Sequence, residues 1–309
     1  MKKNLTANIS LRNCILPMIL AIIIIIYIYT PPIIPISNIY LSTSLGQLTR
    51  IISWLSLSFL SFKMVKGILE GIMIDNEVLE FHGILKDYLK IALIYSVITI
   101  ITLGLAFPLF LKKKYEYLVA NTTYKGQPLQ FRGCIKAMTI FISVIMCSIY
   151  AFLAIAMLDI NIPFSFDLSG DAQFAIFYLL LISFVIISTA YLYHWYARFN
   201  YKDYKLGFKN HFTSYIPYLL LSFVGSILTL GLGSIFFSLW VKKIYIKDFE
   251  AKSEEQLITF SEEIDIFNDG FYILGQMLLI IITIGIYTPI AYQKILNRII
   301  PKIAYTKES

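Results

Sequence analysis

Long apolar runs, separated by short polar and basic stretches, dominate the chain. The clearest runs are Cys14 to Tyr29, Lys136 to Leu158 and Ala172 to Tyr193. Crossing the hydrocarbon core of a bilayer takes about 20 mainly apolar residues, and counting runs of this kind gives about seven hydrophobic segments. The pattern therefore predicts an all-α, multi-pass integral membrane protein.

Short stretches of alternating polar and apolar residues lie between these runs. Ile72 to Phe81, Val119 to Phe131 and Arg198 to Phe208 each pair two such stretches around a turn that contains Asn, Asp, Lys or Gly. Alternation with these turn residues is typical of a β-hairpin. A degenerate fourth copy runs from Ile244 to Phe260. The sequence thus predicts short β-hairpins beside the membrane segments.

A second repeated signature, Thr-x-Gly, follows the hairpins. The same number of residues separates Phe81 from Thr102 and Phe208 from Thr229. The three copies are Thr102-Leu103-Gly104-Leu105, Thr229-Leu230-Gly231-Leu232 and Thr283-Ile284-Gly285-Ile286, with Pro108 and Pro289 following the first and third. Gly and Pro this close together break or bend a helix. We therefore predict a helix break inside three of the hydrophobic segments.

These repeats divide the chain into four parts. Residues 1–70 hold the N-terminal membrane segments, and residues 71–133 the first hairpin and membrane repeat. Residues 134–197 hold two transmembrane spans. Residues 198–309 hold the second and third membrane repeats, with a cytoplasmic tail.

One part of the chain resembles a known family. The residues that carry the likeness are, in order, Phe81-His82-Gly83, Tyr88, Thr102-Leu103-Gly104-Leu105, Pro108, Tyr115-x-Tyr117, Asn121-Thr122, Gly126 and Phe131. Over Leu79 to Gly133 the chain resembles the YjgN-like family of bacterial inner-membrane proteins, a domain of unknown function. The resemblance implies a multi-pass inner-membrane location and supplies no catalytic residues. Here Leu105-Ala106-Phe107-Pro108-Leu109 replaces the family's aromatic-x-Pro-Trp, which puts any role of that Trp in doubt.

The distribution of Lys and Arg leaves two topologies open. If the three Thr-x-Gly segments are ordinary kinked spans, basic loops fall on both sides of the membrane, against the positive-inside rule. If they enter the bilayer, turn at the glycine and return, every basic loop is cytoplasmic, and so are the N-terminus and the β-hairpins. The outside loops would then be Pro31 to Leu45 and Asp159 to Asp171, which contain no Lys or Arg.

Composition supports a membrane protein and disfavours nucleic-acid binding. Hydrophobic residues make up 58% of the chain and charged residues 15%, the mean hydropathy is +0.73 and the net charge is +7. The basic residues are spread over segments that flank apolar runs, which is typical of membrane anchoring. The run Lys112, Lys113 and Lys114 is either a candidate contact for anionic lipid headgroups or a topogenic anchor.

The polar residues inside the apolar segments are Ser, Thr and Gln, with no mid-segment charge, which disfavours an ion-coupled transporter. The candidate residues for a membrane break or a solute path are Thr102, Gly104, Pro108, Thr229, Gly231, Thr283, Gly285 and Pro289. Two alternatives stay open, because the Thr hydroxyls can bond to their own helix and the glycines can serve close helix packing.

No pattern indicates catalysis, a cofactor or a metal site. Cys14, Cys134 and Cys147 form no CxxC motif, and the three histidines have no partner at metal-ligand spacing. We therefore expect no enzymatic activity, with the lipid bilayer and its anionic headgroups as partners. Two functional hypotheses remain, a permease-like or lipid-handling protein of the bacterial inner membrane, and a scaffold that binds a cytoplasmic partner through its β-hairpins.

Overall fold

The computed structural model describes residues 2–29, 55–136, 138–140, 142–143 and 170–308. The helices are α1 (Ile15–Tyr29), α2 (55–69), α3 (Leu85–Ile101), α4 (Phe107–Ala120), α5 (beginning at Ile135), α6 (Gly170–Tyr196), α7 (Ile216–Leu228), α8 (Ser234–Asp248), α9 (Ile266–Ile282) and α10 (Thr288–Ile299). The strands are β1 (Lys2–Asn4), β2 (Thr6–Ala7), β3 (Ile72–Ile74), β4 (Glu77–Val78), β5 (Glu80–Phe81), β6 (Thr122–Tyr124), β7 (Gln127–Pro128), β8 (Gln130–Phe131), β9 (Phe199–Tyr201), β10 (Tyr204–Phe208), β11 (Phe249–Lys252), β12 (Leu257–Glu262) and β13 (Ile303–Glu308).

Seven of these strands form one antiparallel sheet in the order β1-β13-β12-β11-β10-β9-β8. Its registers place Leu206 opposite Ala251 and Phe260 opposite Tyr305, so apolar side chains line one face across several strands. β2-β3-β4 and β5-β6-β7 form two smaller sheets. The first predicted hairpin therefore lies in a small sheet, and the second contributes only β8 to the large one. The third and the degenerate fourth copy join β8 and strands from both ends of the chain in a larger sheet than the sequence pattern indicates.

The described chain also contains three helical hairpins, α3–α4, α7–α8 and α9–α10. Each begins shortly after a strand and returns directly to another strand, so its turn is the part that lies farthest from the strands. The returning helices α4 and α10 carry Pro108 and Pro289 in their first turns, where proline is tolerated because the missing N–H has no helical partner.

Contacts near the strands show how these hairpins are arranged. Tyr115 of α4 donates to the Tyr196 carbonyl at the end of α6 at 2.8 Å, and His194 of α6 lies 5.1 Å from Tyr215 at the start of α7. The Lys243 ammonium of α8 donates to the Ile264 carbonyl, just before α9, at 2.6 Å. The strand-side ends of the three hairpins therefore pack together, directly or through α6.

Small buried clusters tie the two ends of the chain to this arrangement. Ile9, Leu11, Cys14 and Leu60 pack with Ile300, which precedes the last strand. Two side chains of α10, Asn297 and Gln293, bond to the backbone of Ile9 and Leu11. The N-terminal segment is thus held against the third helical hairpin.

The predicted fold class is wrong. The chain is not all-α, because it contains the seven-stranded sheet. Within the described ranges no helix is long and apolar enough to cross a membrane, as the spans predicted there would require. The physical reason lies at the Thr-x-Gly signatures, where the apolar run reverses direction and forms two antiparallel helices. The predicted span Lys136 to Leu158 and the loops Pro31 to Leu45 and Asp159 to Asp171 lie wholly or largely outside the described residues.

Candidate functional site

The threonine of each Thr-x-Gly signature closes its helical turn. Each hydroxyl donates to the carbonyl four residues earlier at 2.8 Å, and accepts from the backbone N–H four residues later at 2.9 to 3.1 Å. The three residues are Thr102, Thr229 and Thr283. The sequence leaves two roles open for these hydroxyls, lining a solute path or bonding to their own helix. In the structure all three hydroxyls bond to the backbone of their own hairpin.

The glycine of each signature supplies a backbone conformation that other residues rarely adopt. The φ angles are 92° at Gly104, 85° at Gly231 and 86° at Gly285. Each glycine N–H bonds to the carbonyl five residues earlier, at 2.7 to 2.8 Å. This bond is the signature of a Schellman motif, which ends a helix with left-handed residues. The predicted break is therefore a complete reversal of the chain.

We expect Gly231→Ala to lower the free energy of unfolding by about 1 kcal/mol, because a Cβ is strained at positive φ. No heavy atom lies within 4 Å of the Cβ that alanine would add, so backbone strain is the main cost. Chemical denaturation followed by circular dichroism measures the change. The control is Gly275→Ala inside α9, where there is also room for the Cβ, and which we expect to stabilise the protein slightly. Equal effects of the two substitutions would contradict the strain explanation.

The middle residue of each signature is large, apolar, strained and exposed. Leu103, Leu230 and Ile284 have φ angles of 50°, 52° and 50° and are 67%, 93% and 73% exposed. Non-glycine residues rarely adopt positive φ, and a β-branched residue there is a true outlier. Strained residues of this kind cluster at functional sites. These three hairpin tips are therefore the first candidate functional surface.

The apolar surface continues from the tips along the hairpins. Residues 91–111, 212–241 and 270–293, which include the three turns, contain no Asp, Glu, Lys, Arg or His. Several further large apolar side chains in these ranges are more than half exposed: Ile100, Ile101, Leu221, Ile227, Leu228, Leu232, Phe271, Leu278, Ile281 and Ile282. An exposed apolar surface of this extent marks a protein or membrane interaction site.

Basic residues lie at the ends of these uncharged ranges. Lys112 and Lys113 pair with Glu116 of the same helix at 3.2 and 3.0 Å. The Lys114 ammonium lies 5.5 Å from the centre of the Tyr88 ring. Further basic side chains in corresponding positions are Lys86, Lys90, Lys209, Lys242, Lys243, Lys294 and Arg298. The three predicted lysines are thus part of a basic belt between the apolar hairpins and the sheet.

The predicted path residues do not line a common cavity. The threonines, glycines and prolines named above occupy the turns of three separate hairpins, and none of them lines either of the two cavities described in the structure. Pro108 and Pro289 are fully buried, where each starts a returning helix.

A second candidate site is an apolar cavity of about 640 Å³ under the seven-stranded sheet. The sheet contributes Leu206, Ala251 and Ile258 to one wall, and α4 contributes Leu118 and Val119. A cavity of this size is typical of small-molecule sites. The sequence gives no signal of it, because its walls come from residues between Leu5 and Lys307 that only the folded sheet brings together.

The three sequence repeats meet at this cavity. Asp75, Lys125 and Lys202 occupy corresponding positions in the turns of three β-hairpins, have φ angles of 53°, 50° and 50°, and all line the cavity. The preceding tyrosines of the last two turns, Tyr124 and Tyr201, lie 5.2 Å apart between ring centres. Tertiary pairing thus gathers turns that lie far apart in the sequence.

One hydrogen-bonded cluster holds the acidic turn at the cavity in place. Lys3 donates to the Asp75 carboxylate at 2.8 Å, and the Tyr305 hydroxyl donates to the same oxygen. These bonds hold the pKa of Asp75 below its usual range. Burial, followed by the nearby Asp75 charge, raises the pKa of Tyr124 to about 12. At neutral pH, Asp75 is therefore ionised and its charge is balanced by Lys3.

No arrangement for metal chemistry is present in the part of the chain that the structure describes, since no three His, Cys, Asp or Glu side chains lie close enough to hold an ion. The expectation that the protein is not an enzyme and takes no cofactor stays a prediction.

Comparison with known protein families gives a match. A family model described as "Bacterial protein of unknown function (DUF898)" matches residues 17–266, which include the first two helical hairpins and β3 to β12. No curated protein and no solved structure matches the chain. Because the matched region is well over half of the sequence, the chain belongs to the DUF898 family of bacterial proteins of unknown function.

Proposed function

We propose that this protein handles lipid at the bacterial inner membrane, into which it inserts the turns of three helical hairpins without crossing. The observation that carries the proposal is the presence of Leu103, Leu230 and Ile284 at the three tips. In water, each would combine backbone strain with an exposed apolar side chain. When hydrocarbon surrounds the tips, the apolar side chains are no longer exposed to water, and that part of the free-energy cost disappears.

The length of the uncharged hairpin arms suits one leaflet of a bilayer. At 1.5 Å per residue, the uncharged part of α3, residues 91–101, spans about 16 Å, and α7 spans about 20 Å. The hydrocarbon core is about 30 Å thick, so one leaflet offers about 15 Å. The arms therefore reach about the middle of the bilayer and turn back there.

The basic belt supports the same orientation. Lysines such as Lys90, Lys112 and Lys294 lie where the uncharged arms end, at the depth of the lipid headgroups when the tips are inserted. Near-surface Lys or Arg contributes about 1 kcal/mol each to binding an anionic membrane. The narrower resemblance to YjgN-like inner-membrane proteins also favours this location, and it stays a prediction.

Replacing the three tip residues together tests the proposal. In the triple variant Leu103→Asn, Leu230→Asn and Ile284→Asn, the asparagines tolerate positive φ, so the turns are kept while the apolar side chains are lost. We expect vesicle binding to weaken by about 100-fold or more, because each of the three buried apolar side chains contributes about 1 kcal/mol or more and about 1.4 kcal/mol corresponds to a factor of ten. The measurement is flotation of the full chain, synthesised in the presence of vesicles of phosphatidylethanolamine and phosphatidylglycerol.

The matched control replaces the same three residues with methionine, which keeps them apolar and of similar size. This variant should float with the vesicles like the unchanged protein. If the asparagine variant floats as well as the methionine variant, with the same circular dichroism spectrum, the hairpin tips do not insert and the proposal fails.

The permease and scaffold hypotheses receive less support from the geometry. A permease needs its path residues around one cavity, whereas Thr102, Thr229 and Thr283 lie in separate turns. A scaffold that adds a partner strand needs a long free edge. Here the predicted hairpin offers β7 and β8, which are two residues each, and Pro128 in β7 lacks a backbone donor.

A further inference from the structure

The cavity under the seven-stranded sheet has an apolar interior and a charged mouth. Val119 and Ile258 belong to opposite walls, while ionisable side chains enter the lining at the β-hairpin turns and at Lys307. An apolar pocket with a few polar groups at one end suits a ligand that has an apolar body and a polar or charged end.

The size of the cavity suits a ligand with one acyl chain. A methylene group needs about the 30 Å³ that a water molecule occupies in the liquid. The 640 Å³ of the cavity therefore corresponds to about 20 methylene groups, which suits one long acyl chain.

The mouth carries excess positive charge. Asp75 is already paired with Lys3 at 2.8 Å. Lys125, Lys202 and Lys307 are exposed and line the same cavity, and the Lys125 and Lys202 ammonium groups lie 5.4 and 5.7 Å from the rings of their neighbouring tyrosines. Together with Lys3, these lysines outnumber Asp75 and Glu77, the two carboxylates of the acidic turn, so the mouth favours an anion.

The cavity also adjoins the helix that leads to the first hairpin tip. Leu118 and Val119 line it from α4, the same helix that returns from the Leu103 tip. The base of the first hairpin therefore separates the proposed membrane surface from the cavity.

We infer that this cavity binds a single-chain anionic amphiphile, with the chain between the sheet and α4 and the anionic head at Lys125 and Lys202. The inference rests on the proposed lipid handling and adds the class of lipid. A fatty acid and a lysophosphatidate share this chemistry and differ in the head group.

Photolabelling of the full chain on vesicles tests the site. The probe is palmitate with a diazirine in its chain, and the labelled peptides are identified by mass spectrometry. We expect labelling on the cavity residues Val119 and Ile258, and competition by unlabelled palmitate or palmitoyl lysophosphatidate, but not by uncharged hexadecanol. The stronger of the two anionic competitors identifies the preferred head group.

Charge reversal at the mouth provides the matched comparison. The double variant Lys125→Glu and Lys202→Glu should lower cavity labelling about 10-fold, because an anionic head would face two carboxylates. The control is Lys252→Glu, an exposed lysine of β11 that lines the neighbouring polar pocket but not the apolar cavity. All three proteins should float with vesicles equally well.

The outcomes separate the two proposals. Labelling confined to the hairpin tips, or cavity labelling that the double variant does not change, overturns the inference while leaving membrane insertion standing. Cavity labelling in a protein that does not float with vesicles supports the inference and overturns membrane insertion.

Discussion

Trp195→Ala is expected to lower the free energy of unfolding by about 3 to 5 kcal/mol, the largest effect we predict for a single substitution. The indole is 1% exposed, and its Nε1 donates to the Cys134 carbonyl at 3.0 Å. The ring lies 4.7 Å from Phe131 and 6.1 Å from Tyr115 between centres. This one side chain therefore holds α4, α6 and β8 together at the base of the first helical hairpin.

Chemical denaturation in a nonionic detergent, followed by far-ultraviolet circular dichroism, measures this loss without relying on tryptophan fluorescence. Trp240→Ala is the matched control, because that indole is only partly buried and pairs with Tyr218 at 5.6 Å on the second hairpin. We expect the control to lose less than half as much stability. A loss at Trp195 no larger than at Trp240 would show that this aromatic contact does not hold the hairpin.

Asp269→Asn is expected to lower the free energy of unfolding by about 3 kcal/mol. The carboxylate is fully buried, with Arg298 at 2.8 Å, Lys302 at 2.6 Å and the Asp265 backbone N–H at 3.0 Å. Removing one partner of a buried ion pair costs about 3 to 5 kcal/mol. We take the lower end, because Arg298 and Lys302 are 31% and 27% exposed and water hydrates the charges left behind.

The pH dependence of stability gives a second readout. Burial alone would raise the pKa of Asp269, but the hydrogen bonds from Lys302 and Arg298 outweigh burial and hold that pKa below its ordinary value. A group with a lowered folded-state pKa stabilises the fold above its unfolded pKa, and this contribution disappears as the pH falls through the folded pKa. The difference between the parent protein and Asp269→Asn should therefore be constant near neutral pH and shrink below about pH 4.

The comparison for this experiment is Glu263→Gln, which removes an exposed ion pair with Lys2. We expect no measurable change in the denaturation midpoint, because solvent screens such pairs. If the two substitutions behave alike at neutral pH, Asp269 does not lock the base of the third hairpin.

Sequence reasoning locates the turns of this fold better than its architecture. The Thr-x-Gly repeats mark three chain reversals correctly in position, because Thr hydroxyls and Gly backbones act locally. Hydropathy does not predict whether an apolar segment is one straight helix or a helical hairpin. The uncharged range 91–111 is about as long as one membrane span, and this length is the same whether the chain continues straight or turns back at Gly104. The sequence pattern also does not predict the strands β1 and β13. For β1 the reason is that Lys2–Asn4 is exposed and too short to show alternation.

The candidate cavity and the buried carboxylate of Asp269 could not be predicted from the sequence for a related reason. Asp269 finds its partners on α10 and the segment after it, and nothing near Asp269 in the chain indicates them. The cavity combines the Asp75, Lys125 and Lys202 turns, which only strand pairing brings together. Local patterns predict local geometry, whereas these sites depend on contacts between distant elements.

The pairing of β1 with β13 bears on the order in which the protein matures during translation. β1 is an edge strand of the large sheet, and β13 separates it from β12. At 5 to 20 residues per second, β1 leaves the ribosome roughly 15 to 60 s before β13 does. During that interval β1 has no partner strand in the large sheet, while the helical hairpins between β1 and β13 are synthesised one after another. A nascent chain that stalls before Ile303 therefore has an unfinished sheet, because it lacks the strand that joins β1 to β12.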